Sequence, residues 1–296
     1  MAKLHPHDPH LVPFDGSFRI KDAPTAPNKG PKAAECDARL TAAVDRMAHL
    51  QRKLFADDRY AMLLVFQAMD AAGKDGTIRG VLSGVDPAGC QVISFKRPTA
   101  EEIDHDFLWR TARALPERGR IGVFNRSYYE EVLVVRVHPE ILLRQRIPRI
   151  PPDASPKRLQ RVWQQRYASI TGHEKHLARN GTIILKFWLN VSRDEQRRRL
   201  LARMDDPTRH WKFEAGDLAE RARWDDYMVA YQDALNATSR PWAPWYAIPA
   251  DDKHYLRMTV AEHVVAALES LPLRYPEPSD QERLEIKRQR ALMEAE

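Results

Sequence analysis

A glycine–lysine pair, Gly73-Lys74, stands where an apolar segment ends and a helix is predicted to begin. Residues 61–66 are apolar and long enough for one buried strand, residues 68–73 are mostly small, and the helix begins near Asp75. This is the layout of a phosphate-binding loop, in which backbone N–H groups and a helix N-terminus face an anion and the lysine reaches its outer phosphates. The other residues of this segment expected to contact phosphate are Ala71, Ala72, Gly73, Asp75 and Gly76.

The segment departs from the usual pattern G-x-x-x-x-G-K-[ST] at two positions. Ala68 replaces the first glycine, and Asp75 replaces the hydroxyl residue that normally binds a metal ion. Asp70 could supply the missing ligand, because a carboxylate near bound phosphates is repelled unless a divalent cation lies between them. Two plainer interpretations stay open: a strand-to-helix turn with a surface lysine, and a helix cap formed by Asp70.

Polar or cationic residues also follow three other predicted strands. They are Lys96 and Arg97, Asn125 and Arg126, and residues 190–193. Because parallel strands bring their carboxyl ends to one edge of a sheet, where ligands bind, we expect these residues to meet the Gly-Lys loop. Arg126 could hold a phosphate, although an arginine alone is more often part of a surface ion pair.

Two adjacent carboxylates, Glu130 and Glu131, lie shortly after the third strand. Asn125 stands at the end of that strand, where a metal-holding aspartate would be usual, and its neutral side chain cannot balance the charge of a metal ion. Either glutamate could supply the charge. A solvated helical face is the alternative, and the sequence does not distinguish the two residues.

A strongly cationic stretch, residues 193–212, begins on a helix after the fourth strand and continues into a segment without periodicity. Arginines on a mobile segment can close over phosphates, expel water and stabilise charge that spreads during transfer. Arg203, Arg209 and Lys212 are the candidates on this predicted lid. The alternative is an ordinary solvated face.

Strands alternate with helices along the chain, which predicts an α/β fold with a mainly parallel five-stranded sheet and helices on both faces. We expect an extended arm at 1–32, one domain at 33–272 with the lid at about 203–216, and a charged tail at 273–296. Single helices are predicted from Thr99 to about residue 114 and from Asp217 to about residue 235. Residues 132–137 fit either a helix or a strand.

Composition favours a folded protein with an anionic partner. The chain has 296 residues, 43% of them hydrophobic, and a formal net charge of +6. Cys36 and Cys90 show no metal-binding spacing and fit a reducing compartment. No apolar run is long enough for a membrane helix, and residues 1–10 have no apolar signal core, so we expect a cytoplasmic location.

With these segments together, the chain resembles the polyphosphate kinase 2 family, and within it the subgroup that phosphorylates both AMP and ADP. Six segments carry the resemblance in the expected order. They are FQAMDAAGKDG (66–76), SFKRP (94–98), HDFLWR (105–110), FNRSYYEEV (124–132), DPTRHWKF (206–213) and APWYAIPADDK (243–253). Several long motifs in order are far more specific than one Gly-Lys pair.

The resemblance implies a thymidylate-kinase-like, three-layer P-loop fold with a helical lid, Mg²⁺ (with Mn²⁺ as a substitute), and a homodimer or homotetramer. It implies inorganic polyphosphate as donor, AMP or ADP as acceptor and ATP among the adenine nucleotides bound. Carried over by motif, the catalytic residues are Asp70, Lys74, Arg126 and Glu130, and the metal ligands are Asp70 and Glu131. Lys96, Arg97, Asn125, Arg203, Arg209 and Lys212 join the loop residues in binding substrate.

Two residues depart from the family pattern. Tyr128 stands where this subgroup is expected to have histidine, and Glu131 where it is expected to have aspartate. The longer side chain of Glu131 puts the geometry of a metal ligand at that position in question.

Two other functions share some of these features. An ATP-dependent nucleotide kinase of the thymidylate-kinase type would have the same fold, loop and lid, but it does not account for Asp70, for the missing Ser/Thr at position 75 or for the excess of basic residues. A nucleic-acid-binding module has only the net charge in its favour, since there is no zinc-ligand spacing, aromatic-rich RNA motif or basic heptad region.

Overall fold

Five strands form one parallel sheet in the order β2-β3-β1-β4-β5. The computed structural model describes residues 8–148, 150–212 and 216–296. The strands are β1 (Ala61–Gln67), β2 (Cys90–Ser94), β3 (Ile121–Asn125), β4 (Thr182–Asn190) and β5 (Trp245–Pro249). All residues of β1 are buried, as expected for a central strand covered on both faces.

Helices cover both faces of this sheet, which gives the three layers that the sequence predicts. The longer ones are α1 (Ala33–Asp57), α2 (Lys74–Val81), α7 (Pro156–Arg179), α8 (Arg193–Met204), α10 (Trp224–Thr238), α11 (Lys253–Glu269) and α12 (Asp280–Met293). The shorter ones are α3 (Ala100–Asp104), α4 (Trp109–Ala112), α5 (Val134–Val137), α6 (Pro139–Arg144) and α9 (Gly216–Ala222). Helix α11 packs against α1 and α2, while α7 packs against β4 and α10.

Two helices predicted as continuous are broken in the structure. The helix that begins after Thr99 has the expected capping box with Glu102 but ends at Asp104. His105 is extended, and the Asp106 carboxylate accepts a hydrogen bond from the Leu108 N–H, which starts a separate turn. The helix predicted from Asp217 is likewise divided, into α9 and α10.

Residues 132–137, which the sequence left open between strand and helix, contain the short helix α5 and follow a 3₁₀ turn at Tyr128–Glu131. The connection from the end of β3 is therefore a series of tight turns. Such turns send neighbouring side chains in different directions, and this separates Glu130 from Glu131.

Residues 8–32 of the predicted N-terminal arm include a segment that lies along the β5 edge of the sheet. The Val12 N–H donates to the Trp245 carbonyl, and the Ala247 N–H donates to the His10 carbonyl. Further along, the Asn190 side chain donates to the Ala23 carbonyl. This part of the arm is thus hydrogen-bonded to the domain; residues 1–7 lie outside the described ranges.

Among the described residues, no helix is long and apolar enough to cross a membrane.

Candidate active site

The loop between β1 and α2 is shaped to present backbone N–H groups. Ala71 and Gly73 have φ values of 58° and 104°, in the left-handed region, which glycine tolerates and alanine adopts at a cost. Gly73 is the N-cap residue of α2, and no side chain caps this helix end. The start of a helix without a capping side chain at its N-cap suits an anion.

Lys74 lies buried within this loop. Its Nζ atom donates hydrogen bonds to the carbonyl oxygens of Ala68 at 2.9 Å and Met69 at 3.4 Å. Burial lowers the pKa of the lysine, and the neighbouring carboxylate of Asp70 acts in the opposite direction. The ammonium group is held at the loop, where it can turn from a carbonyl partner to a phosphate oxygen.

The register of the sheet brings Arg126 to the start of the same loop. Phe66 of β1 pairs with Asn125 of β3, and the Arg126 N–H donates to the Phe66 carbonyl. Arg126 has a φ of 63°, and its Nη2 atom lies 2.9 Å from Asp70 Oδ1. Left-handed backbone is uncommon at a non-glycine residue, and here it accompanies the contact between Arg126 and Asp70.

Glu130 completes the group around Lys74. Its Oε1 atom accepts a hydrogen bond of 2.7 Å from Gln67 Nε2, at the end of β1. The charges of Asp70, Arg126 and Glu130 all act on the Lys74 ammonium. The four residues predicted to be catalytic therefore come together at the carboxyl ends of β1 and β3, and we call them the transfer site.

Asn125 and its neighbours connect the transfer site to the β2 edge of the sheet. The Asn125 Nδ2 atom donates to Asp75 Oδ1 at 2.8 Å and to Ser94 Oγ at 3.3 Å. The Phe95 N–H donates to the Asn125 carbonyl, and the exposed residues Lys96 and Arg97 follow Phe95 directly in the chain. Both cations thus lie on the β2 side of the loop.

Glu131 has a different environment from Glu130. It is buried, and its Oε2 atom accepts hydrogen bonds from Arg166 Nη1 at 2.9 Å and Gln145 Nε2 at 2.7 Å. Burial lowers the pKa of Arg166, and Glu131 acts against that shift. The metal-ligand role predicted for Glu131 does not fit this buried ion pair, and Glu130 is the better-placed carboxylate.

A fully buried ion pair supports the turn that carries Glu130. Lys186 of β4 donates to Glu174 Oε2 at 2.7 Å and to the Tyr129 hydroxyl at 2.8 Å. The hydroxyl groups of Tyr128 and Tyr129 each donate to Glu174 Oε1 at 2.9 Å. Burial lowers the pKa of Lys186 to about 8, against the effect of Glu174. These four residues form the tyrosine–lysine network, and in it Tyr128 has a structural role.

Helix α8 is hydrogen-bonded directly to the phosphate-binding loop. Arg199 Nη1 donates to the Ala72 carbonyl at 2.7 Å, and Arg199 Nη2 donates to the Ala250 carbonyl at 2.7 Å. Gln196 Nε2 donates to the Asp70 carbonyl at 3.0 Å. The sequence predicts a cationic helix here, but nothing in it distinguishes Gln196 or Arg199, which hold the loop in position.

The predicted lid residues begin in the last turn of this helix, at Arg203, and continue beyond it. Arg203 Nη1 is 2.9 Å from Asp217 Oδ2, and Arg209 Nε is 2.8 Å from Asp206 Oδ2. Both arginines therefore have carboxylate partners. Residues 213–215 and the side chain of Lys212 lie outside the described part of the chain, so the prediction for Lys212 stays a prediction.

The carboxylates of the transfer site fit a magnesium ion shared with substrate. In the described ranges there is no group of three or more histidine, cysteine, aspartate or glutamate side chains able to hold a metal ion. Magnesium is usually held by one or two carboxylates together with substrate phosphates and water. Asp70 and Glu130, which both act on Lys74, supply such a pair.

The model of the family "Polyphosphate kinase 2" matches residues 31–148 and 155–274. The chain belongs to the polyphosphate kinase 2 family. The ADP-polyphosphate phosphotransferase of Rhodopseudomonas palustris is 56% identical over 247 residues, which cover 83% of this chain and 84% of that protein. The AMP/ADP-polyphosphate phosphotransferase of Meiothermus ruber is 44% identical over 272 residues, covering 91% and 95%.

A solved member of the family has the same fold. The crystal structure of polyphosphate kinase 2 from Arthrobacter aurescens TC1 matches with a TM-score of 0.84 at 39% sequence identity, over 97% of this chain and 98% of that one. The family membership, the α/β P-loop kinase-like fold and the class of enzyme, a polyphosphate phosphotransferase, are therefore confirmed. The roles of individual site residues stay predictions, which the geometry above refines.

Proposed function

We propose that the protein transfers the terminal phosphoryl group of inorganic polyphosphate to ADP and to AMP, reversibly and with Mg²⁺ (or Mn²⁺ in its place). The observation that carries this proposal is the transfer site, in which Lys74, Arg126, Asp70 and Glu130 meet beside the uncapped N-terminus of α2. Two relatives support the choice of acceptors. One is named for ADP and the other for both AMP and ADP, and the chain covers 84% and 95% of their lengths.

Phosphoryl transfer requires positioning and charge stabilisation more than covalent help from the protein. The N–H groups of the loop and the Lys74 ammonium bind the phosphates around the transferred group. Arg126, held in place by Asp70, adds a second cation on the β3 side. Asp70 and Glu130 would hold the magnesium ion, which neutralises charge that develops on the phosphate oxygens.

The attacking group needs no strong general base. A terminal phosphate of AMP or ADP is already ionised near neutral pH, and its oxygen can attack phosphorus directly. The residues of the transfer site accordingly act by holding two anionic substrates in line. Arg203, Arg209 and Lys212 would close over them from the lid and exclude water.

The acceptor and donor are tested together by one assay. Purified protein is incubated with Mg²⁺ and either ADP or AMP, with and without polyphosphate, and ATP is followed by luciferase luminescence. We expect ATP only where polyphosphate is present. ATP formation from nucleotides alone would instead support an ordinary nucleotide kinase, and that result would remove the basis of the proposal.

Substitutions at the two adjacent glutamates should separate function from folding. Glu130→Gln is expected to lower kcat by about 100-fold, with a higher Mg²⁺ requirement and little change in stability, because the carboxylate is lost from the transfer site. Glu131→Gln leaves Arg166 buried without its charged partner, so the free energy of unfolding should fall by about 3 kcal/mol.

Steady-state kinetics across a Mg²⁺ series and urea unfolding measure the two effects. Each variant is the matched control for the other, since both remove one negative charge from the same turn. A Glu131→Gln protein with native stability and an altered Mg²⁺ requirement would indicate that Glu131, and not Glu130, is the metal ligand.

We also propose that the protein forms a homo-oligomer of two or four copies, as the family resemblance implies. Light scattering coupled to size-exclusion chromatography gives the mass directly. A mass of 34.2 kDa, that of one chain, would rule this out.

A further inference from the structure

Gln67 is the last residue of β1, and its side-chain amide connects this strand to the turn that carries Glu130. The residue is buried, with 1% of its surface exposed. Its Nε2 atom donates to Glu130 Oε1 at 2.7 Å, and its Oε1 atom accepts a hydrogen bond of 3.3 Å from Ser127 Oγ. One amide therefore bonds both Ser127, which begins the turn, and Glu130 three residues later.

Ser127 sets the orientation of this amide. Its Oγ atom accepts a hydrogen bond of 3.1 Å from the Tyr129 N–H and caps the 3₁₀ turn, while its hydroxyl proton is donated to Gln67. A reversed amide would place its oxygen against the Glu130 carboxylate, and two groups that only accept hydrogen bonds repel one another. The buried network thus directs the NH₂ group of Gln67 toward Glu130.

Glu130 differs from the neighbouring carboxylates because its partner is neutral. Asp70 is paired with Arg126, and Glu131 is paired with the buried Arg166. Within residues 8–148, 150–212 and 216–296, the Glu130 carboxylate forms no ion pair, and the one side-chain bond that it accepts is at Oε1. A neutral amide holds this carboxylate without cancelling its charge, so the Oε2 atom can bind a cation.

Two tyrosines of α10, Tyr227 and Tyr231, lie near Glu130 and bring no charge to it. Burial raises the pKa of both hydroxyl groups, and the charge of Glu130 raises it further, so both stay protonated. The Tyr227 hydroxyl donates to Glu220 Oε2 at 2.5 Å instead of to Glu130. In the part of the chain that the structure describes, the orientation of the Glu130 carboxylate therefore depends on Gln67.

We propose that Gln67 is a positioning residue for phosphoryl transfer, which holds one oxygen of Glu130 so that the other can bind the magnesium ion shared with substrate. The inference rests on the proposed function, in which Glu130 holds that ion. Gln67 itself touches neither substrate nor metal in this account. Removing a group that orients a metal ligand typically lowers metal affinity or activity by about 10- to 100-fold.

Mn²⁺ binding tests this role apart from catalysis. Mn²⁺ is titrated into the protein with ADP present, and the protein-bound ion is followed by electron paramagnetic resonance. The wild type is compared with Gln67→Met, which keeps an unbranched side chain but lacks the amide. We expect the Mn²⁺ affinity and kcat each to fall about tenfold, because Glu130 is no longer oriented. The KM for ADP should change less than about twofold.

A cycle with Glu130→Gln shows whether Gln67 acts through Glu130. In the Glu130→Gln background, Gln67→Met should change the Mn²⁺ affinity less than about twofold, because the carboxylate that Gln67 positions is absent. A merely structural role would instead give the same loss in both backgrounds.

The matched control is Gln51→Met, which removes an amide from another buried glutamine, on α1. It should leave the Mn²⁺ affinity and kcat within about twofold of the wild type. Gln67→Asn keeps an amide near Ser127 but is one methylene too short to reach Glu130 as Gln67 does. It should still lose about threefold in Mn²⁺ affinity, and it keeps the test decisive if Gln67→Met is unstable.

Four results would overturn the inference: native Mn²⁺ affinity in both Gln67 variants, an equal loss in Gln51→Met, additive losses with Glu130→Gln, or a wild type that binds no Mn²⁺. The proposed function fails separately. A wild type that forms no ATP from polyphosphate and ADP would contradict that function, and the Mn²⁺ affinities would still decide the role of Gln67.

Discussion

Replacing Lys74 with alanine is expected to lower kcat/KM for phosphoryl transfer by about 100- to 1,000-fold. The ammonium group is buried in the loop, where it is bonded to the Ala68 carbonyl and surrounded by the charged groups of the transfer site. In this partly desolvated place a positive charge stabilises developing negative charge more strongly than it does in water. The main effect should be on kcat, since the interaction strengthens in the transition state.

Kinetic constants for ADP and for polyphosphate, measured together with the thermal unfolding midpoint, test this expectation. Lys53→Ala, at an exposed position on α1, is the control for the loss of one lysine and should leave kcat/KM within about twofold of the wild type. A Lys74→Ala protein with native activity would contradict the assignment of the transfer site.

The second large effect concerns stability. Lys186→Met leaves the Glu174 carboxylate buried without its cation, and Glu174→Gln leaves Lys186 in the same position. Each single substitution is expected to lower the free energy of unfolding by about 3–5 kcal/mol, because an unpaired charge in a dry interior is costly. The double variant Lys186→Met/Glu174→Gln should recover part of this loss, since no charge remains unpaired.

Urea unfolding of the two single variants and the double variant measures the coupling between the residues. Additive losses would show that the two groups do not act as a pair. The folded variants should also lose activity, because Tyr129 bonds both members of the pair and precedes Glu130 in the same turn. Native kcat in Lys186→Met would therefore contradict the role of this network in placing Glu130.

The gathering of Lys74, Asn125 and Arg126 could be predicted from the sequence because it depends on chain direction alone. Each residue follows an apolar segment, and the carboxyl ends of parallel strands share one edge of the sheet. The phosphate-binding loop could also be predicted, since the Gly-Lys pair lies between a predicted strand and a predicted helix. The order of the strands has no comparable local signal.

The difference between Glu130 and Glu131 could not be predicted. The two residues are adjacent in a 3₁₀ turn, and only the packing of α7 places Arg166 against one of them. Helical or strand periodicity, the usual guide to which side chain is buried, does not apply to a turn of this length. A sequence with two consecutive carboxylates therefore leaves the question open.

One buried charge, Lys186, is visible in the sequence as a weak indication of a buried ion pair. Lys186 interrupts an otherwise apolar central strand, where a charged residue is expected only if a partner compensates it. The partner, Glu174, lies on a separate helix, and nothing in the sequence links the two. The role of Arg199 could not be predicted for a similar reason. Several arginines lie on α8, and the way this helix packs decides which of them reaches the loop.

Polyphosphate labelled with ³²P at its ends tests whether this chain is the phosphoryl donor at the transfer site. The labelled chain is mixed with excess ADP and Mg²⁺, and the products are separated within a single turnover. We expect label in the γ-phosphate of ATP formed by the wild type, and almost none with Lys74→Ala. Label that stays on the chain, or is released only as inorganic phosphate, would contradict it.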